Sequence, residues 1–190
     1  MDTQGTPLYR FLAPRYWLVW LGLCVLRISV WLPQAWRLRL GRVIGWLSYR
    51  LLGRRRRIAE INVDLCFPDL APAARRALVK RHFGALGMAL IEAALCWWLP
   101  DEKIRRLGHV EGLEHLQAAL ERGRGVIMLT GHFTALDLGG RFLTLEAPVS
   151  ALYRPHGNEL FEEIVRRGRE RSAEQAIPKT DVRRMLRALK

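Results

Sequence analysis

A chain of 190 residues, half of them apolar, has room for one domain with a real core, and a net charge of +13 asks for an anionic partner. Three widely spaced cysteines, Cys24, Cys66 and Cys96, exclude a disulfide framework and fit a reducing compartment. Five histidines without an H-x-x-x-H or H-E-x-x-H spacing give no metal site, and no cofactor is expected.

The charge is concentrated at the front. Residues 3–59 hold eleven arginines and no acid, so the first 59 residues carry +10 of the +13. Nucleic acid and an anionic bilayer are the two candidate partners. Residues 16–33 form an apolar run of roughly 17 residues, rich in Trp and broken by Arg27. A membrane span needs about 20, and Arg27 at mid-depth would cost a few kcal/mol, so a clean single span is not expected. Trp17, Trp20 and Trp31 suit a headgroup boundary. Residues 36–47 read as a basic amphipathic helix on a membrane surface, followed by Arg54-Arg55-Arg56-Arg57, each worth about 1 kcal/mol near anionic lipid. This arginine excess places the bulk of the protein on the cytoplasmic side. The plainer reading is a buried core helix with a solvated basic loop. The division expected is a membrane anchor and basic amphipathic region over 1–57, and a second part over 58–190.

Apolar positions at helical spacing continue over 58–67 and stop at Pro68. A second helix runs from near Pro72 to Trp98, with a small-residue middle at 83–91 suited to close helix packing. Short helices follow over 101–107 and 113–122, with a strand and turn at 110–112. Residues 125–130, Gly-Val-Ile-Met-Leu-Thr, read as a buried strand. The segment near 134–145 reads as a helix, 148–153 as a second buried strand, 158–171 as a helix, and Thr180-Asp181 as the start of another. Helices followed by β-α-β-α-α make an α/β fold with a mainly parallel sheet flanked by helices. Two strands do not complete such a sheet, so the sheet is expected to be incomplete and the chain a fragment of a longer protein.

The chemistry concentrates at the end of the first strand, in Gly131-His132-Phe133-Thr134-Ala135-Leu136-Asp137-Leu138-Gly139-Gly140. Open α/β sheets bind ligands at strand C-termini. Five residues along a regular helix turn about 500°, so His132 and Asp137 diverge on one helix. They converge with His132 in the turn and Asp137 in the first turns of the helix. An Asp accepting from one imidazole nitrogen leaves the other free to take a proton from a hydroxyl. Ser172 and Cys96 lie far off in sequence, which favours direct attack by an activated hydroxyl over a covalent intermediate. The plainer alternative is a histidine capping a strand and an aspartate capping a helix.

Several blocks together resemble the late acyltransferases of lipid A biosynthesis, most like the lauroyltransferase branch. They are Pro14-Arg15-Tyr16-Trp17-Leu18, Arg54–Arg57 leading into Asn62-Val63-Asp64-Leu65-Cys66-Phe67-Pro68, and Phe83 with Gly87-Met88 and Glu92. The others are His132–Arg141, Tyr153-Arg154-Pro155, Arg167–Ser172 and Met185–Lys190. The resemblance implies a glycerolipid-acyltransferase-like fold behind membrane-associated helices, at a bacterial inner membrane with the site facing the cytoplasm. It implies transfer of a fatty acyl group from an acyl carrier protein thioester to a hydroxyl of a hydroxyacyl chain on a Kdo-bearing lipid A precursor. In that scheme His132 is the general base and Asp137 its orienting acid. Arg169 matches an arginine associated with activity. Arg154 binds substrate or shapes the site. Both arginines also have plainer readings, Arg169 as one of several solvated arginines and Arg154 as the partner of a nearby acid. A glycerolipid acyltransferase, an inactive membrane-bound fragment and a nucleic-acid-binding module are the rival readings. The last lacks any helix-turn-helix, RNP or finger pattern.

Overall fold

The structure, a computed structural model, describes residues 6–123, 125–171 and 175–188. Its elements are α1 (Trp17–Ser29), α2 (Gln34–Leu51), α3 (Gly53–Cys66), α4 (Pro72–Trp98), α5 (Asp101–Arg105), α6 (Leu113–Leu120), α7 (Leu136–Leu143), β1 (Ser150–Tyr153), α8 (Glu159–Glu170), β2 (Gln175–Pro178) and α9 (Val182–Ala188). Two compact units form, one from Met1–Cys24 with Leu95–Lys190 and one from Val25–Ala94. Their boundaries fall inside α1 and α4, not between 57 and 58, a position that α3 crosses without a break.

In the unit Val25–Ala94, glycines decide the packing. A Cβ on Gly45 would overlap the Phe83 carbonyl, and a Cβ on Gly87 would overlap the backbone of Gly41 and Gly45. The four-residue spacing of Gly41 and Gly45 therefore brings the α2 backbone directly onto α4. Tyr49 and Phe83 close the crossing edge to face, with centroids 5.6 Å apart. The Arg54–Arg57 run lies in the first turns of α3 and is not a loop. Four cations at the positive end of a helix dipole repel it, and the Arg56–Glu60 pair at 3.5 Å offsets only one of them.

In the other unit, two short 3₁₀ turns, Leu8–Phe11 and Pro14–Tyr16, pack on α8. Phe11, Tyr16, Leu23 and Leu160 are buried together, with Trp20, Trp98 and Phe161 around them. The Tyr16 hydroxyl donates to Glu159 Oε2 at 2.7 Å. Trp20, expected at a headgroup boundary, turns its indole N–H to the Phe11 carbonyl at 2.8 Å. Trp17 and Trp31 remain 64% and 69% exposed. At 13 residues, α1 rises about 20 Å, well short of the roughly 30 Å hydrocarbon layer. Among the described residues no helix is long and apolar enough to cross a membrane.

The described sheet is small and parallel. β1 pairs with β2 in the register Ser150↔Gln175 to Tyr153↔Pro178, with α8 as the crossover. Lys179 N–H extends the ladder to the Tyr153 carbonyl at 2.8 Å. β2 buries Ala176 and Ile177, whereas β1 is mostly exposed, contrary to the buried strand expected there.

The expected strand at 125–130 is not formed, and neither is the one at 110–112. Ile127 is 85% and Leu129 99% exposed. A parallel strand needs a ladder on its edges and cover on its faces. Among the described residues nothing pairs with 125–130, so its apolar pattern has no sheet to join.

Candidate active site

Three elements bring Asp137, Arg169 and Tyr153 together. α7 starts at Leu136, which puts Asp137 in its first turn, where a carboxylate suits the helix dipole. α8 is set by its own cap: the Asn158 side chain accepts from Phe161 N–H at 3.0 Å. Glu159 and Glu162 lie in its first turn, and Arg167 and Arg169 in its last. β1 ends at Tyr153.

Arg169 joins them. Its Nη2 donates to Asp137 Oδ1 at 3.2 Å, and its guanidinium lies 5.4 Å from the centroid of the Tyr153 ring. Burial, with the Glu162 carboxylate beside it, pushes the Tyr153 phenol above its usual range and keeps it protonated. The neighbouring arginines of α8 are engaged elsewhere. Arg166 and Arg167 both donate to Glu163, and Arg171 donates to the Trp97 carbonyl at 3.1 Å. Burial works against the Glu163 charge, yet the two guanidinium groups outweigh it and hold the carboxyl below the usual range. Trp97 packs against Gly168, where any Cβ would collide with the Trp97 side chain. The Gly168 position thus fixes the turn of α8 from which Arg169 projects.

The C-terminal end of α7 is tied to both ends of α5. Arg141 is buried and pairs with Asp101, and its Nη1 donates to Thr144 Oγ1 at 3.2 Å. Arg105 donates to Glu146 Oε1 at 2.6 Å and to the Leu145 carbonyl at 2.8 Å. The sequence reading missed this clamp, because its pairs lie about forty residues apart. Arg141 does close the His132–Arg141 block, which is the one signal it left. Tyr153 was legible only as part of Tyr153-Arg154-Pro155.

His132 stands apart. It lies exposed in the irregular stretch before α7 and makes no hydrogen bond or ion pair among the described residues. Asp137 uses Oδ1 for Arg169, while its Oδ2 has no partner among the described residues. Arg154 is likewise exposed, with no carboxylate on it among the described residues. Ser172, Leu189 and Lys190, parts of the quoted blocks, lie outside the described residues.

Residues 7–190 match the family described as bacterial lipid A biosynthesis acyltransferase. The chain belongs to this family. It is 43% identical over 180 residues to a lipid A biosynthesis palmitoleoyltransferase of Escherichia coli, covering 95% of the chain and 59% of the relative. It is 38% identical over 179 residues to the lipid A biosynthesis lauroyltransferase of the same organism, covering 94% and 58%. A lipid A biosynthesis acyltransferase of Haemophilus influenzae is 36% identical over 194 residues, covering 100% and 62%. The chain thus spans about three fifths of the length of these curated relatives. No solved structure matches it. The Asp137–Arg169–Tyr153 cluster joins residues of three of the quoted sequence blocks.

Proposed function

We propose that this chain carries the acid–base half of an acyltransferase site. The site moves a fatty acyl group from an acyl carrier protein thioester to a hydroxyl of a hydroxyacyl chain on a Kdo-bearing lipid A precursor, at the cytoplasmic face of the inner membrane. The observation that carries the reading is the meeting of Asp137 and Arg169, from two separate sequence blocks.

In this scheme Arg169 holds Asp137 through Oδ1, and Asp137 Oδ2 accepts from one nitrogen of His132 once the 131–135 turn brings the imidazole onto it. The other nitrogen takes the proton of the acceptor hydroxyl as its oxygen attacks the thioester carbon. The C–O bond forms, and a tetrahedral oxyanion develops beside the Arg169 guanidinium. Its collapse breaks the C–S bond. The proton held by His132 then goes to the departing carrier thiolate, so the base is restored and protons balance. Arg154 and the front-end arginines suit an acceptor carrying phosphates and carboxylates, because guanidinium binds both in a bidentate fork. The basic front end also attracts an acidic carrier protein and an anionic lipid surface.

The test is acyl transfer by the purified chain, alone and joined to the part of the Escherichia coli palmitoleoyltransferase that the match leaves uncovered. Acyl carrier protein thioester is the donor, and either a Kdo-lipid A precursor or a glycerolipid is the acceptor. The expected result is transfer to the Kdo-lipid, reduced about 10²–10⁴-fold by His132→Ala. Transfer to the glycerolipid alone, or unchanged turnover in His132→Ala, overturns the reading. A second reading, an inactive membrane-bound fragment, is favoured by the exposed run at Ile127–Leu129. It predicts no transfer by the chain alone and transfer by the joined form.

A further inference from the structure

The unit Val25–Ala94 contains a cleft that gathers several of the front-end arginines and takes no part in the proton-transfer steps. Helices α2, α3 and α4 enclose a cleft of about 480 Å³ lined by Arg42, Trp46, Tyr49, Arg50, Arg56 and Lys80, with Gly84 at its wall. Four of these residues are cations, and none is an acid. Glu60 pairs with Arg56 at 3.5 Å. Arg42, Arg50 and Lys80 have no carboxylate partner among the described residues.

Like charges gathered from three helices repel one another, so the arrangement needs a reason and a means of being held. The means is the glycine crossing of α2 on α4, which locks the helices that carry Arg42, Arg50 and Lys80. Two guanidiniums are also seated on rings: Arg50 lies 5.3 Å from the Trp46 centroid and Arg56 5.2 Å from that of Tyr49. Stacking occupies the face of a guanidinium and leaves its edge N–H donors free for a bidentate oxyanion. The arginines at the start of α3 add to the local potential. The reason is then an anion with several oxygens and more than one charge.

The surroundings point to a lipid as the carrier of that anion. Val43 and Leu47, flanking Trp46 in sequence, are 51% and 42% exposed, and Trp46 itself is 55% exposed. A Trp and a Tyr beside cations are the residues of a membrane headgroup layer. The same three helices also form an apolar cleft of about 450 Å³, whose lining includes Leu52, Ile58, Leu86 and Leu90. A soluble phosphate has no use for these apolar surfaces.

We propose that the Arg42–Arg50–Arg56–Lys80 cleft is a binding site for the phosphomonoester headgroup of a membrane lipid. It rests on the membrane-surface reading given under Proposed function, and it adds a built, headgroup-selective site to a general attraction between charges.

The experiment uses the full chain and vesicles of phosphatidylcholine doped with either phosphatidic acid or phosphatidylglycerol, matched in surface potential. Wild type is expected to favour phosphatidic acid several-fold. The variant Arg42→Gln/Arg50→Gln/Lys80→Gln is expected to lose that preference. Arg54→Gln/Arg57→Gln/Arg76→Gln removes the same charge outside the cleft, so it is expected to weaken binding to both vesicles and keep the preference. Circular dichroism of each variant checks that the helices persist. The proposal is overturned by a wild type without preference or by a cleft variant that keeps it. It is also overturned if wild type binds inorganic phosphate in solution, with loss in the cleft variant, yet shows no preference between the vesicles, which makes the site one for free phosphate. Loss of acyl carrier protein binding in the cleft variant, with vesicle preference intact, assigns the cleft to the carrier and also overturns it. His132→Ala is expected to leave the preference unchanged, so failure of the transfer chemistry and failure of this site read out separately.

Discussion

Helix α8 and the stretch 125–135 are both bearers of the family's sequence blocks, and the fold treats them in opposite ways. α8 is held from every side: the Asn158 cap, Tyr16 on Glu159, two arginines on Glu163, and Trp97 against Gly168. The stretch 125–135 has an apolar composition and a histidine, its hydrogen bonds among the described residues are local ones in the turn that leads into α7, and Leu129 is almost wholly exposed. The groups that hold charge in place, Asp137 and Arg169, belong to the determined part or border it. The group proposed to move a proton, His132, sits in the undetermined part. Precise placement of His132 therefore depends on what packs on 125–130.

Four substitutions, read by thermal melting of the chain, sharpen that contrast. The largest effect is expected for Trp97→Ala, because Trp97 is 4% exposed and packs on Gly168, with Trp98 and Phe161 at 5.5 and 5.9 Å between centroids. The loss should be about 3–5 kcal/mol, or roughly 8–15 °C in Tm. No loss there removes the basis for calling α8 firmly held.

Glu163→Gln comes next. It strips the charge that faces Arg166 and Arg167, for a cost of about 2 kcal/mol. The pH dependence has a definite sign. The folded carboxyl lies below its ordinary 4.5, so its contribution is present above pH 4.5 and is lost as pH falls through the lower folded value. Wild type should lose stability in that window, and Glu163→Gln should show a flatter acid limb. Asn158→Ala removes the cap of α8 and should cost about 1 kcal/mol. Leu129→Ser should change stability by less than about 0.5 kcal/mol, because the side chain it removes is 99% exposed. A large loss from Leu129→Ser would mean that 125–130 is packed in solution and that the contrast is misplaced.

What the sequence made legible follows the same division. α8 was readable because its determinants are local: Asn158 as cap, acids first, bases last, and apolar positions at helical spacing. The β-α-β unit expected over 125–153 is not formed; the parallel crossover runs instead from β1 through α8 to β2, a strand that was not read. Gln175-Ala-Ile-Pro178 is four residues with a polar start and a proline end, and only the β1 edge makes it a strand. The reverse error occurred at Val126–Leu129, where a strong apolar pattern lacks the neighbour that turns pattern into structure. Gly41 and Gly45 stood in plain view, but the helix around them read as a membrane-surface helix, and the demand for close approach lies on α4. The Arg141–Asp101 clamp joins residues forty apart, which no local spacing reveals.

The central claim is that His132 and Asp137 act as one proton-handling unit, with Arg169 bracing the carboxylate. A double-mutant cycle on acyl transfer tests it most directly, with His132→Ala, Asp137→Asn and the two combined, in the joined form described above. Residues that act as a unit are strongly non-additive. The account predicts that the double variant is no slower than His132→Ala alone. Losses that multiply independently would contradict it.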